Sequence, residues 1–488
     1  MKRIIAIILV VVLSLTFLTA CKNTPKDSTG TSSGISDDID NNTGNNTTDD
    51  DDLLEDEDSA VTGGESSDDT EESSQAPTNS VVTDVEVSDK SEDLYADLKG
   101  TTVRVIAFEE PATITKLMIK QFEKKYECKV TVEIYSWADW QVKILEMVAA
   151  GNPPDLAVCF DQHFIKYAAT DILQPIDSYI DANAPFWDKT ILNNYKWKGK
   201  TYAVNTEAYD TIMLHYNKNL LENAGLDGAA DPYEVYKRGE WTFDKFREYA
   251  KALTKQKDGQ TEVWGYASWI HDAFVYAAGG RGIVLNKDGT IDITLDKAAE
   301  IAGLEMLRKM IHEDKSTSTA AMNSFNALFN AQKVAFMAER PGYAVPDESK
   351  HTAFEIGMVP MPKVDKNSKH YNPAITQAWG VPVGAKNPKG AMAYIYYGAV
   401  FSDANKNTTY AISQRNKMIT DKNLAIYKEA VKSNEKVFSF INGLGNWYDK
   451  QWPELWNLIY TENKTAVNAV ASAKPIIEYE IEQTLKNK

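Results

Sequence analysis

Cysteine and histidine are scarce in this sequence, three and six among 488 residues, and their scarcity removes several classes of protein at once. Cys21, Cys128 and Cys159 have no close spacing, which argues against a disulfide framework and against a cysteine zinc cluster. Cys128 and Cys159 are expected to be packed and reduced. The histidines are scattered, and a lone one such as His271 reads as structural. There is no phosphate loop, no G-x-S-x-G elbow and no H-E-x-x-H. "GGRG" (Gly279–Gly282) has too few spaced glycines for a dinucleotide fingerprint. "NKDGT" (Asn286–Thr290) lacks the ligand spacing of an EF-hand and reads as a turn between short strands. Glu109 and Glu110 are adjacent, which sets no useful separation for a glycosidase pair. These absences point to a protein without catalysis, metal or cofactor.

Basic residues are also in deficit, 52 against 70 acidic ones, but the deficit is local. Residues 22–93 hold 22 acidic and 3 basic residues, are rich in Ser, Thr, Asn and Gly, and are nearly free of aromatics. Such a tract cannot bury enough apolar surface to fold. Its run "DDDDLLEDEDS" (Asp49–Ser59) reads as a solvated, self-repelling spacer, with a reach of about 45 Å before charge repulsion extends it. What remains, 94–488, is close to neutral and offers no basic field for nucleic acid.

The start of the chain has the form of an export signal. Lys2 and Arg3 precede a short apolar run, Ile4–Phe17, and then Leu18, Thr19, Ala20 and Cys21. The run is short for a membrane span and opens into a polar tract. "LTAC" resembles the bacterial lipobox. That resemblance implies a lipoprotein, cleaved before Cys21, acylated there, and held at the outer face of the cell membrane.

About 395 residues are too many for one core and suggest two lobes. "TTVRVIAFEE" (Thr101–Glu110) opens as a strand. Leu117, Met118, Phe122 and Tyr126 then make one apolar face of a helix over Thr113–Tyr126. "CKVTVEIYS" (Cys128–Ser136) alternates as a half-buried strand, "WADWQVKILEMVAAG" reads as a helix ending at Gly151, and "PDLAVCF" is a buried strand. Strand, helix, strand, helix, strand predicts βαβ units on a mainly parallel sheet. Helices follow at Trp241–Lys255, with Thr242 as N-cap, at Asp296–Asp314, and at Asn387–Val400, with Pro388 in the first turn.

Aromatics are abundant, with 11 Trp and 24 Tyr. Trp137, Trp140, Trp269, Trp379, Trp447, Trp452 and Trp456 stand next to predicted strand ends and loops. Flat faces beside carboxylates and amides suit sugars, whose C–H faces pack on rings while their hydroxyls need oriented partners.

An ordered set of segments resembles the extracellular solute-binding proteins of ABC importers, in the carbohydrate-binding group that includes maltose-binding protein. They are "FEKKYECKVTVE", "GNPPDLAVCFD", "GKTYAVNTEAYDTIMLHYNKNLLENAGLD" (Gly199–Asp227), "WTFDKFREYAKALT", "KVAFMAERPGY" (Lys333–Tyr343), "IGMVPMP" (Ile356–Pro362) and "WGVPVGAKNPKGAMAYIYY" (Trp379–Tyr397). Asn205 departs from the pattern, standing where the family usually has proline. The resemblance implies an α/β fold of type II, two lobes with mainly parallel sheets flanked by helices, and a ligand cleft between them. Its expected layout is a signal at 1–21, a tether at 22–93, one lobe from 94–209 and 375–412, and the other from 210–374 and 413–488.

Carried onto this sequence, the resemblance implies sugar contacts from Glu109, Glu110, Asp161, Asp210, Trp269, Glu339, Arg340, Tyr343 and Trp456, with Trp447 as the alternative C-terminal aromatic wall. The implied partners are a carbohydrate, the ABC permease subunits and the membrane lipid, with the protein itself a monomer. Delivery to a permease is the expected function. Presentation of ligand to a receptor kinase, or capture of a peptide or other solute, are its rivals within the same fold.

Overall fold

Alternating apolar runs build two central sheets, and the chain passes between them more than once. The computed structural model describes residues 97–137, 139–184, 187, 189–205, 210–341, 354–405, 420–438 and 447–486. All of these lie in one compact unit, Ser73–Lys488. The expected signal, the tether and Cys21 fall outside them.

The first sheet starts as the sequence predicts. β1 (Thr102–Ala107) pairs in parallel with β2 (Lys129–Ile134) and with β3 (Leu156–Phe160). β3 is central and buried throughout, as its unbroken apolar run requires. The helix between β1 and β2 spans Thr113–Tyr126 and buries Met118 and Phe122. The helix Trp140–Ala149 follows β2 and is closed by Gly151, whose φ of +69° suits glycine. A small hairpin, β4 (Lys196–Trp197) and β5 (Lys200–Thr201), precedes β6 (Ala203–Val204), the far edge of this sheet.

From β6 the chain crosses to β7 (Asp210–Thr211) and enters the second lobe at β8 (Met213–Asn217). There the sheet adds β9 (Lys255–Lys257) and β10 (Gln260–Ala267). A short hairpin, β11 (Ile283–Leu285) with β12 (Ile291–Ile293), follows, and its turn holds "NKDGT" through Asp288 Oδ1, which accepts from Thr290 N at 2.9 Å. β13 (Val334–Glu339) and β14 (Ile356–Pro360) complete the sheet in the order β14-β8-β13-β10-β9.

The expectation of a mainly parallel second sheet needs correction. Only β10 and β13 run parallel, while β8 is antiparallel to both β13 and β14, and β9 to β10. The reason is topological: β8 enters directly from the crossover, with no preceding βαβ unit to set its direction.

The return path runs through β15 (Tyr371–Ile375) and then β16 (Gln377–Gly380), which is antiparallel to β3 and β6 in the first sheet. β15 also joins a three-stranded ribbon with β7 and β17 (Glu435–Phe438). The helix Pro388–Asn405 then packs on the first sheet. One apolar cluster runs from Phe164, Tyr167 and Tyr195 of the first lobe to Trp241, Phe246 and Phe336 of the second.

The segment "NPPD" has a structural purpose at Asp155. This residue is 3% exposed, and its carboxylate accepts from Arg104 N at 3.0 Å and from Asn387 N at 2.7 Å. It thus ties β1 to the start of the helix Pro388–Asn405. Asn387 completes the junction by accepting from Gly390 N at 2.9 Å. Asp155→Ala strands two donors, which should cost about 3 kcal/mol. A chemical denaturation midpoint lowered at constant m-value is the expected outcome, and an unchanged midpoint would remove this role.

Candidate functional site

Both crossovers pass at the ends where β3 and β13 finish. Gln377 of β16 lies opposite Phe160, the last residue of β3, and Asp210 of β7 lies opposite Ile375. In the second sheet Glu339, which ends β13, lies opposite Met213, which opens β8. The loops after β1, β2 and β3 on one side, and after β10 and β13 on the other, therefore border the space beside the crossovers. In open α/β sheets this is where ligand crevices form.

Asp161 stands at that point as the first residue of the helix Asp161–Ala169. It is 1% exposed and engaged by protein. Its backbone N–H donates to Thr376 O at 3.1 Å, and its Oδ2 accepts from Thr376 N at 3.3 Å. The hydroxyls of Tyr195 and Thr376 lie 2.6 Å apart. Asp161 thus fastens the return crossover, a bond made over 215 residues of sequence.

Glu109 and Glu110 follow β1 and are exposed, with no hydrogen bond or ion pair among the described residues. Their neighbour Phe108 packs edge-on against Trp137, with centroids 4.9 Å apart, and Phe160 holds the same indole at 5.5 Å. Trp137 remains 52% exposed, whereas Trp140, three residues on, is fully buried. Both tryptophans stand near a predicted strand end, and neither is among the contacts that the resemblance implies. No periodicity separates them; only the packing around Phe108 and Phe160 does.

The second lobe offers a matching indole. Trp269 follows β10 and is 41% exposed. Its Nε1–H donates to Glu339 Oε2, while Glu339 Oε1 accepts from Arg340 N at 2.8 Å. Glu339 is 3% exposed, so its carboxylate serves to hold Trp269 and its own loop. Burial raises its pKa, opposed by the Arg340 backbone and Trp269 bonds. Arg340 sits beside it, with Nε 3.5 Å from Oε1. The loop after Trp269 is set by Ser268, whose hydroxyl donates to Ala338 O at 2.7 Å and accepts from Ile270 N at 3.0 Å.

Trp456 lies deeper. It stacks on Tyr460 at 4.9 Å, and Tyr460 stacks in turn on His271 at 5.5 Å, with its hydroxyl 3.1 Å from His271 Nδ1. Trp456 is 7% exposed and belongs to the core, so it backs His271 rather than facing open space. For Asp210 only the backbone is described, as it is for Trp447 and Trp452, and Tyr343 lies outside the described residues. The structure therefore gathers Glu109, Glu110 and Trp137 on one wall and Trp269, Glu339 and Arg340 on the other.

The short helix Ala273–Ala277 closes the second wall and is held by the helix Ala298–His312. Gly303 permits their close approach, since a Cβ there would meet Val275 Cα at 2.3 Å. "GGRG" is accounted for by the same pair: Glu300 Oε1 accepts from Arg281 N at 3.1 Å and from Gly282 N at 3.2 Å. Among the described residues no group of acidic, His and Cys side chains could hold a metal ion, and no helix is long and apolar enough to cross a membrane.

Asp272 precedes the helix Ala273–Ala277, and its carboxylate accepts from Tyr276 Oη. Burial pushes its pKa up to about 6, with the Tyr276 bond opposing. A raised carboxyl pKa means that ionisation opposes folding. The penalty is absent below the ordinary aspartate range and complete above pH 6. Asp272→Asn should therefore gain stability over the wild type as pH rises from 4 to 7. Melting curves for the two proteins that stay parallel across that range would contradict this assignment.

Comparison with known proteins places this geometry. Residues 107–418 match the family described as bacterial extracellular solute-binding protein. The maltotriose-binding protein of Pyrococcus abyssi (strain GE5 / Orsay) is 26% identical over 258 residues, 52% of this chain and 48% of that protein. The chain thus matches about half the length of that curated relative. The ABC substrate-binding protein Lmo0181 from Listeria monocytogenes, solved in complex with cycloalternan, superposes with a TM-score of 0.61 at 19% identity, covering 78% of this chain and 99% of that one. UgpB from Mycobacterium tuberculosis, in complex with glycerophosphocholine, gives a TM-score of 0.61 at 15% identity, with 79% and 99% covered. At such identities the likeness establishes the fold, the two-lobed type II α/β arrangement expected from the sequence.

Proposed function

This chain belongs to the bacterial extracellular solute-binding proteins, and from that membership we propose that it is the lipid-anchored substrate-binding protein of an ABC importer. It captures a sugar or oligosaccharide between its lobes, closes on it, and hands it to a membrane permease without altering it. The observation that carries this reading is the pair of half-exposed indoles, Trp137 and Trp269, one on each wall beside the crossovers. An indole face matches the C–H face of a sugar ring, and the free carboxylates of Glu109 and Glu110 can accept from its hydroxyls. Exposed carboxylates on the wall also disfavour anionic ligands. The names of the maltotriose-binding and cycloalternan-bound relatives agree with a neutral oligosaccharide.

One observation favours a second reading, a non-sugar organic solute: the glycerophosphocholine complex of UgpB has the same fold with an equal TM-score. Calorimetric titration with maltotriose, mannotriose and glycerophosphocholine separates the two. An oligosaccharide should bind and be recovered intact, and Trp269→Ala should weaken it about 10-fold or more, a loss of about 1.4 kcal/mol or greater. Binding of glycerophosphocholine alone would favour the second reading, and hydrolysis of the oligosaccharide would overturn both.

The anchor is tested separately. Replacement of Cys21 by serine removes the acylated thiol, so the variant should move from the membrane fraction to the medium. Retention in the membrane fraction would contradict the lipoprotein assignment.

A further inference from the structure

The first lobe contains a cavity that shares no residue with the two walls described above. It has a volume of about 210 Å³ and lies between the N-terminal part of the helix Thr113–Tyr126, the C-terminal part of the helix Pro388–Asn405 and β16. Its walls include Thr115, Asn205, Gln377, Trp379, Tyr394 and Phe401, and none of its lining residues is charged. An engineered cavity of about 150 Å³ holds benzene, so this one admits a single six-membered ring with substituents.

Two features mark it as more than a packing gap. Tyr394 is 7% exposed, and its hydroxyl makes no hydrogen bond among the described residues. The same holds for the side chains of Thr115 and Gln377. Thr115 and Gln377 are only half-buried, so three polar side chains with hydrogen-bonding capacity to spare line one space beside the aromatic faces of Trp379 and Phe401. The second feature is position. Asn205 is the residue after β6, where the chain leaves the first lobe, and Gln377 is the residue after Thr376, where it returns. Both crossovers thus contribute a side chain to the wall.

We propose that this cavity is a second small-molecule site, taking a neutral, ring-sized compound with hydroxyl or amide groups, and that its occupant braces the two crossovers. The site stands independently of what the cleft between the lobes binds. Saturation-transfer NMR on the full chain with glucose, mannose and myo-inositol as probes tests it.

At least one probe should bind the wild type, persist in Trp269→Ala, and slow deuterium exchange across residues 372–377. Gly398→Leu should abolish that binding, since a side chain there enters the cavity, and a Cβ has room with Met118 Cε at 3.6 Å. Tyr394→Phe, which keeps the packing and removes only the hydroxyl, should weaken binding at least fivefold. Failure of all three probes to bind, or binding lost in Trp269→Ala but kept in both lobe-one variants, would overturn the proposal.

Discussion

The doubled contact between Asp161 and Thr376 is the constraint on which the rest of the site depends. The Asp161 N–H donates to the Thr376 carbonyl, the Thr376 N–H donates to the Asp161 carboxylate, and Tyr195 lies against the Thr376 hydroxyl. Such a contact, fully buried, fixes where the return chain passes relative to β3. It also fixes which ends of the two sheets lie beside the crossovers. Without it the loops carrying Trp137 and Trp269 would have no defined relation to the hinge. A buried carboxylate so engaged is expensive to disturb, since its loss leaves an amide donor unpaired in a dry environment.

From that fixed point the two walls follow by different physical means. In the first lobe Trp137 is held by aromatic edges, Phe108 and Phe160, which orient the ring without using its polar group. In the second lobe Trp269 is held by its N–H through buried Glu339, which in turn is anchored to the backbone of Arg340. One indole is positioned by packing and the other by a hydrogen bond, and both keep about half their surface free. A preformed, rigid apolar face with a few polar groups nearby is the general form of a small-molecule site.

Much of this was legible in the sequence where a local pattern decides structure. The helix Thr113–Tyr126 is as its apolar spacing predicted, and the Thr242 cap accepts from Lys245 N at 3.3 Å, as the residue type suggested. Other features depend on distant partners. "VAFMAE" is buried on both faces, so nothing in it distinguishes a parallel neighbour from an antiparallel one. Asp161 and Glu339 were legible as carboxylates at strand ends, but their partners, Thr376 and Trp269, lie far away in sequence. Exposure was equally out of reach: Trp137 and Trp140 share a segment, and only tertiary packing buries one and not the other.

The central claim is that a single oligosaccharide is gripped by both lobes at the strand ends beside the crossovers. Hydrogen–deuterium exchange with and without saturating maltotriose or mannotriose, whichever binds, tests it most directly. The account predicts simultaneous protection of the loop at 108–110 and the Trp137 segment in one lobe, and of 268–272 in the other. Protection confined to one lobe, or found only away from these loops, would contradict it.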